Sequence, residues 1–164
     1  MIEVKHGDLF EDDVDVVCHQ VNCRGTMGKG VAKQFAEKFP RSARAYWLYV
    51  NTIRQLFGVE NAAENLLGQV VWEKEKGVWT CSMFAQDAYG YGKCFTDYAA
   101  FRKCCKHLRA HLEQEWNSKD RVKVGMPYKI GCGLAGGDWS IVHAIIEEEL
   151  GDWHIVLYKR GKSE

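Results

Sequence analysis

A chain of 164 residues, 46% of them apolar, can bury roughly two-thirds of its unfolded surface and is too apolar to be disordered. Its 22 Lys and Arg balance its 22 Asp and Glu, so no general nucleic-acid or membrane attraction is expected and an anionic ligand must be held locally. No apolar run reaches about 18 residues, and MIEVKHGDLF lacks a long apolar core, which gives the expectation of a cytoplasmic chain with no signal peptide or membrane span.

In chain order, IEVKHGDLF alternates and reads as a strand entering a turn at Gly7-Asp8. Residues 14–21, VDVVCHQV, are mostly apolar and β-branched, the pattern of a strand covered on both faces. The segment HQVNCRGTMGKG, 19–30, then ends that strand on polar residues and brings in Gly25, Gly28 and Gly30. Over 28–39 the apolar period becomes four (Val31, Phe35, Phe39), which predicts a helix closed by Pro40. A second amphipathic helix is expected over 41–51, with Ala45, Leu48 and Tyr49 among its apolar positions.

GQVVWEKEKGVWTCSMFAQ reads as a hairpin about Lys76-Gly77, and DAYGYGKCF as a loop. Residues 96–116 form the most regular helical pattern, with Tyr98, Phe101, Cys105, Leu108, Leu112 and Trp116 stepping by three and four. RVKVGMPYKIG gives a strand, GCGLAGGDW a loop, and a helix follows with Ile141, Val142, Ile145, Ile146 and Leu150 inward. WHIVLYK closes as a last strand and 161–164 is expected to fray. Strands alternating with helices, without repeat or linker, imply one α/β domain with helices on both faces of its sheet.

Seven cysteines, an odd number without a CxxC pair, read as reduced thiols, several of them small buried apolar groups. Cys104, His107 and His111 share helical spacing, but on the side away from the apolar stripe and with no fourth ligand nearby, so no metal site is assigned.

The glycines carry more information. Gly25, Gly28 and Gly30 lie between a strand and a helix, and Gly131, Gly133, Gly136 and Gly137 lie at the same kind of junction later. Either set alone suits a tight turn. Two sets at equivalent junctions suit a diphosphate held by backbone N–H groups. GTMGKGVA is neither the P-loop pattern nor G-x-G-x-x-G, which sets aside a P-loop nucleotidase and a dehydrogenase.

Taken together and in this order, GDLF, NCRGTMGKGVAKQF and MPYKIGCGLAGGDW resemble the macro domains, modules that bind ADP-ribose. The likeness spans nearly the whole chain and is closest to the branch of terminal ADP-ribose glycohydrolases and ADP-ribose 1″-phosphate phosphatases. It implies a three-layer α/β/α domain over 1–160 with a mixed, mostly parallel sheet and no cofactor, expected to act as a monomer. It implies that Asp8 accepts from the adenine amino group, although a turn aspartate is also an ordinary solvated residue, and that Leu9 packs beside the ring. Asn22 would orient the distal ribose, or else cap the strand end. Gly28, Lys29, Gly30 and Val31 would lay backbone N–H groups along the diphosphate. Ile130, Gly131, Cys132, Gly133, Leu134, Ala135 and Gly136 would form the second wall, and Tyr89 or Tyr91 a cover.

The resemblance is uneven where chemistry is concerned. Gln86 and Ala135 align where some hydrolases of this branch carry a lysine and an aspartate, and the Asn-Asn and Asp-Gly features of another hydrolytic branch are missing. The residues left for catalysis are His19, which could activate water or protonate a leaving group or else be an ordinary hydrogen-bonded strand-end histidine, and Asp138, an expected N-cap that could double as a base. The expectation is therefore an ADP-ribose-binding domain that hydrolyses a bond at the distal ribose, either of ADP-ribose 1″-phosphate or of a terminal ADP-ribosyl adduct on protein or nucleic acid. A non-catalytic ADP-ribose reader is the alternative.

Overall fold

In the computed structural model, which describes residues 1–160, the alternating runs become one six-stranded sheet; the expected frayed tail, 161–164, lies outside the described residues. The strands β1 (Ile2–His6), β2 (Val16–Asn22), β3 (Val70–Glu75), β4 (Val78–Gln86), β5 (Lys123–Pro127) and β6 (His154–Lys159) stand in the order β1-β6-β5-β2-β4-β3. Every neighbouring pair is parallel except β3 with β4. β2 lies at the centre and all of it except Gln20 is buried, which is why its sequence is a nearly continuous apolar run. The β3–β4 hairpin turns through Lys76 and Gly77, at φ 56 and 78, the left-handed pair that a two-residue hairpin requires.

Helices α1 (Gly30–Lys38), α2 (Pro40–Phe57) and α3 (Ala62–Leu66) cover one face of the sheet, and α4 (Tyr98–Glu115) and α5 (Trp139–Leu150) cover the other. The period-two alternation of the strands feeds both. Val17, Phe84 and Val156 face the first layer, where Phe35, Tyr46 and Leu66 meet them. Cys18, Cys81, Met83, Val124 and Leu157 face Phe101, Leu108 and Ile146. The three-layer arrangement is the expected one.

Several expectations need correction. The second helix does not stop at 51 but runs to Phe57: Ile53 remains on its buried face and no breaker appears before Gly58, at φ 86. Pro40 opens this helix as well as closing the first, because its missing N–H falls where a helix has no partner for one. Cys104 does not lie away from the apolar stripe; it is fully buried among Ala100, Phe101, Cys105, Leu108 and Leu112, because α4 is wedged between the sheet and α5 and buries a wide face. Ile141 is 42% exposed, since the inward face of α5 is set by Val142, Ile145, Ile146 and Leu150 and Ile141 points to its flank. The α3 segment and the 3₁₀ turn Val59–Asn61 had no sequence assignment.

Three of the four longer helices have carboxylates on their first N–H groups. Asp97 accepts from Ala100 N at 3.0 Å on α4, and Asp138 accepts from Ser140 N at 2.9 Å on α5. The cap of α2 comes from the hairpin: Glu75 accepts from Arg41 N (3.1 Å), Ser42 N (2.9 Å) and Ser42 Oγ (2.7 Å). Burial alone would raise the Glu75 carboxyl, but these bonds outweigh it and hold the group below its usual value. The stability it contributes is therefore present above the unfolded value of 4.5 and lost as pH falls through and below it. Glu75→Gln should cost about 1 kcal/mol in urea denaturation at pH 7, and the difference from wild type should shrink toward pH 4.

Candidate functional site

Because β2 and β5 are parallel neighbours, the loops that follow them leave the same edge of the sheet side by side. Between them lies a cavity of about 720 Å³. Gly28 to Ala32 form one wall and Ile130 to Ala135 the other, Gln20, Asn22 and Gln86 form the floor, and Tyr89 to Tyr91 stand over it.

The first loop is shaped by Asn22. Its Oδ1 accepts from Arg24 N at 2.9 Å and its Nδ2 donates to the Thr26 carbonyl at 2.8 Å. Tyr46 Oη donates to the Asn22 carbonyl at 2.7 Å and receives Gly25 N–H at 3.1 Å, with Gly25 at φ 80. The chain then enters α1 through Lys29, whose extended backbone (φ −142, ψ 155) is that of an N-cap but whose side chain caps nothing. Its ammonium instead lies 2.6 Å from Tyr91 Oη, across the mouth of the cavity. The first-turn N–H groups of α1 thus open onto the cleft without the carboxylate that serves α2, α4 and α5.

The second loop is fastened from below. Thr96 Oγ1 donates to the Gly131 carbonyl at 2.6 Å, and Gln20 Nε2 donates to both Thr96 Oγ1 and Gln86 Oε1 at 2.9 Å. Gly131, at φ 77, is held so close that a Cβ there would lie 2.7 Å from Gln20 Oε1. Gly137 N closes the loop onto the Gly131 carbonyl at 2.9 Å.

Most of the expected binding residues meet at this cleft: Asn22, Gly28, Lys29, Gly30, Val31, Gln86 and the run from Ile130 to Ala135 all border it. Four expected site residues do not. Asp8 lies past the end of β1, with Oδ1 accepting from Phe10 N at 2.9 Å and Oδ2 3.8 Å from Arg160. Leu9 does not border the cavity: its side chain is 4% exposed, sunk into the core over Gly125, where a Cβ would lie 2.6 Å from its Cδ1. Gly136 acts on loop shape, leaving room for the Lys93 carbonyl. Asp138 is committed to Ser140 as a cap and is not at the cleft. Gln20, Tyr128 and Lys129 border the cleft without having been singled out; the adjacency of Gln20 to His19, at a strand end that stops on polar residues, was the available signal.

The cleft is poor in acid–base groups. Among the described residues no Asp or Glu borders it. His19 borders it behind the wall: it is 1% exposed, stacks on Phe35 with ring centroids 3.7 Å apart, and lies with Nε2 3.0 Å from Ser82 Oγ. Burial pulls its pKa down from 6.5 to about 3, so the expected neutral-pH titration is corrected: the ring stays uncharged because no carboxylate compensates its lost hydration. Burial likewise pushes the Cys132 thiol up to about 11, keeping it protonated. What remains is a glycine-walled groove, without acidic side chains among the described residues, that offers N–H donors to an anion. The unfolded chain takes up the His19 proton from about pH 6.5 downward while the folded chain refuses it until about 3, so this residue removes stability across that window as pH falls. Denaturation of wild type and His19→Gln should show wild type losing an extra ~1.4 kcal/mol per pH unit between about pH 6 and 4. A parallel pH dependence of the two proteins would contradict a buried neutral ring.

No protein-family model matches the chain. It is similar to an ADP-ribose 1″-phosphate phosphatase of Debaryomyces hansenii, 28% identical over 178 aligned residues that take in 96% of this chain and 98% of that protein. Among solved structures it is similar to the macrodomain of Thermus aquaticus DarG, with a TM-score of 0.71, 21% identity and 97% and 98% of the two chains covered. It is also similar to Thermosipho africanus DarTG in complex with ADP-ribose, with a TM-score of 0.75 and 17% identity, covering 99% of this chain and 42% of that one. At these identities the two structures establish the fold.

Proposed function

We propose that the chain is a macrodomain that binds ADP-ribose in the glycine-walled cleft and hydrolyses a bond at the distal ribose, with ADP-ribose 1″-phosphate as first candidate substrate. The observation that carries the reading is the N-terminus of α1. It is the one longer helix whose first N–H groups receive no carboxylate among the described residues, and it borders the cavity. A diphosphate would satisfy those donors from one side, and the backbone of the second loop would meet it from the other. The phosphatase named among the relatives, matched over nearly its whole length, supports the choice of substrate.

In this reading Asn22 and Gln86 lie at the distal-ribose end, and Tyr91, held by Lys29, covers it. Gln86 and Ala135 occupy the positions where the family resemblance would put a lysine and an aspartate, so no covalent lysine step is invoked. Hydrolysis then falls to a water oriented by the ligand's own phosphate and by backbone donors, which stabilise the charge that develops on the departing oxygen. Terminal ADP-ribosyl adducts on protein or nucleic acid are further substrates of the same geometry. A second reading, a non-catalytic ADP-ribose reader, is favoured by one observation: the cleft holds no group that titrates near neutral pH, His19 included.

Calorimetric titration with ADP-ribose should give one site per chain, and incubation with ADP-ribose 1″-phosphate should release inorganic phosphate. Across pH 6–8 turnover should follow only the ionisation of the substrate phosphate, at about pH 6, with no further step from His19. Absence of ADP-ribose binding would overturn the proposal. Binding without turnover of the 1″-phosphate or of any adduct would leave the reader.

A further inference from the structure

A second concentration of positive charge, which a diphosphate at α1 does not use, lies at the border of the cleft. Tyr128 follows β5 directly and borders the cavity. The Lys159 ammonium lies 5.1 Å from its ring centroid and the Lys129 ammonium 5.8 Å from it. Trp139 also packs on this ring, its centroid 5.4 Å away in an edge arrangement. Two like charges drawn to one ring repel each other, and among the described residues neither has a carboxylate within salt-bridge distance. Asp8, near the start of the turn that follows β1, stands by Arg160.

The backbone adds an independent sign. Lys129 is one of only two non-glycine residues with positive φ among the described residues, at φ 58. The other, Lys76, sits in the hairpin turn where that conformation is the rule. At Lys129 the turn closes through Ile130 N to the Pro127 carbonyl at 3.1 Å and would accept glycine with less strain. A lysine kept in a glycine conformation at the wall of an anion-binding cleft indicates that its side chain has a use there.

We propose that Lys129 and Lys159, converging on Tyr128, form a second anion subsite that takes a phosphate monoester carried on the adenosine half of the ligand. Gly7 N donates to the Lys159 carbonyl at 3.0 Å, so the turn carrying Asp8, which the family resemblance would set against adenine although it does not border the cavity, follows β1 beside this pair. The assignment to the adenosine half therefore rests on the ADP-ribose reading, whereas the anion site itself rests on the two ammonium groups. The preferred ligand is accordingly an ADP-ribose or adenosine nucleotide bearing an extra 2′- or 3′-phosphate.

The test compares AMP with adenosine 2′,5′-bisphosphate and adenosine 3′,5′-bisphosphate by calorimetry, and follows the Tyr128 ring resonances during titration with inorganic phosphate. At low ionic strength at least one bisphosphate should bind about five-fold tighter than AMP, with the advantage fading toward about 0.5 M salt. Lys129→Gly, which suits the backbone, and Lys159→Gln should each reduce that advantage without weakening AMP, and the double variant should abolish it. Equal binding of all three nucleotides to wild type, or an advantage unchanged in the double variant, would overturn the proposal. If no nucleotide binds while inorganic phosphate shifts Tyr128 in wild type and not in the double variant, the anion subsite stands and the ADP-ribose reading fails.

Discussion

The site depends on one topological constraint: β2 and β5 run parallel and adjacent at the middle of the sheet. Parallel strands place their following loops on one edge, so two segments more than a hundred residues apart in sequence become the two walls of one cleft. The same arrangement aims the start of α1 into that cleft. A helix start in solvent is ordinarily capped by its own N-cap side chain or by a neighbour, as Asp97, Asp138 and Glu75 do elsewhere in this chain. At α1 the N-cap residue is Lys29, which cannot accept a hydrogen bond, and its ammonium reaches away toward Tyr91. The fold thus leaves donors unserved at the wall of the cavity and places its carboxylates elsewhere.

That choice sets the chemistry. With no Asp or Glu on the cleft wall, a bound diphosphate meets no like charge, and a chain with no net charge can still hold an anion. The absence of a wall carboxylate also removes the usual general base. His19 does not replace it, because the burial and stacking on Phe35 that make it a good floor residue keep it neutral. Gln20 and Gln86 work through neutral amides, tying β2, β4 and the second loop together through Thr96. Catalysis in such a groove relies on placement of the substrate and of water by fixed backbone dipoles. Electrostatics tuned by titration have little part in it.

Much of this was legible in the sequence, for identifiable reasons. Strand β2 is apolar on both faces, and helix α4 repeats its apolar residues over five turns, so period alone located them. The two glycine runs marked both loops because positive φ at Gly25, Gly131 and Gly136 leaves few other residues possible. What failed was what depends on the third dimension. Leu9, which the family resemblance would set beside a ligand ring, is instead sunk over Gly125 of β5. His19 reads as a pH-sensitive strand-end group until Phe35 is seen to cover it. Tyr128 and Lys129 lie within MPYKIGCGLAGGDW, but their interest comes from Lys159, at the end of the next strand, and from a backbone angle. Glu75 reads as a hairpin charge, and only its contact with Ser42 reveals it as the cap of α2.

The account stands or falls on whether the open start of α1 is what grips the ligand. Lys29→Asp tests this in one protein, because an aspartate with the extended N-cap backbone already present can bond the first-turn N–H groups and place a negative charge where the phosphate would sit. Measured side by side, urea denaturation should show the variant more stable by about 1 kcal/mol, and calorimetry should show its ADP-ribose affinity reduced by at least about ten-fold. A variant that is stabilised yet binds ADP-ribose as tightly as wild type would contradict the account.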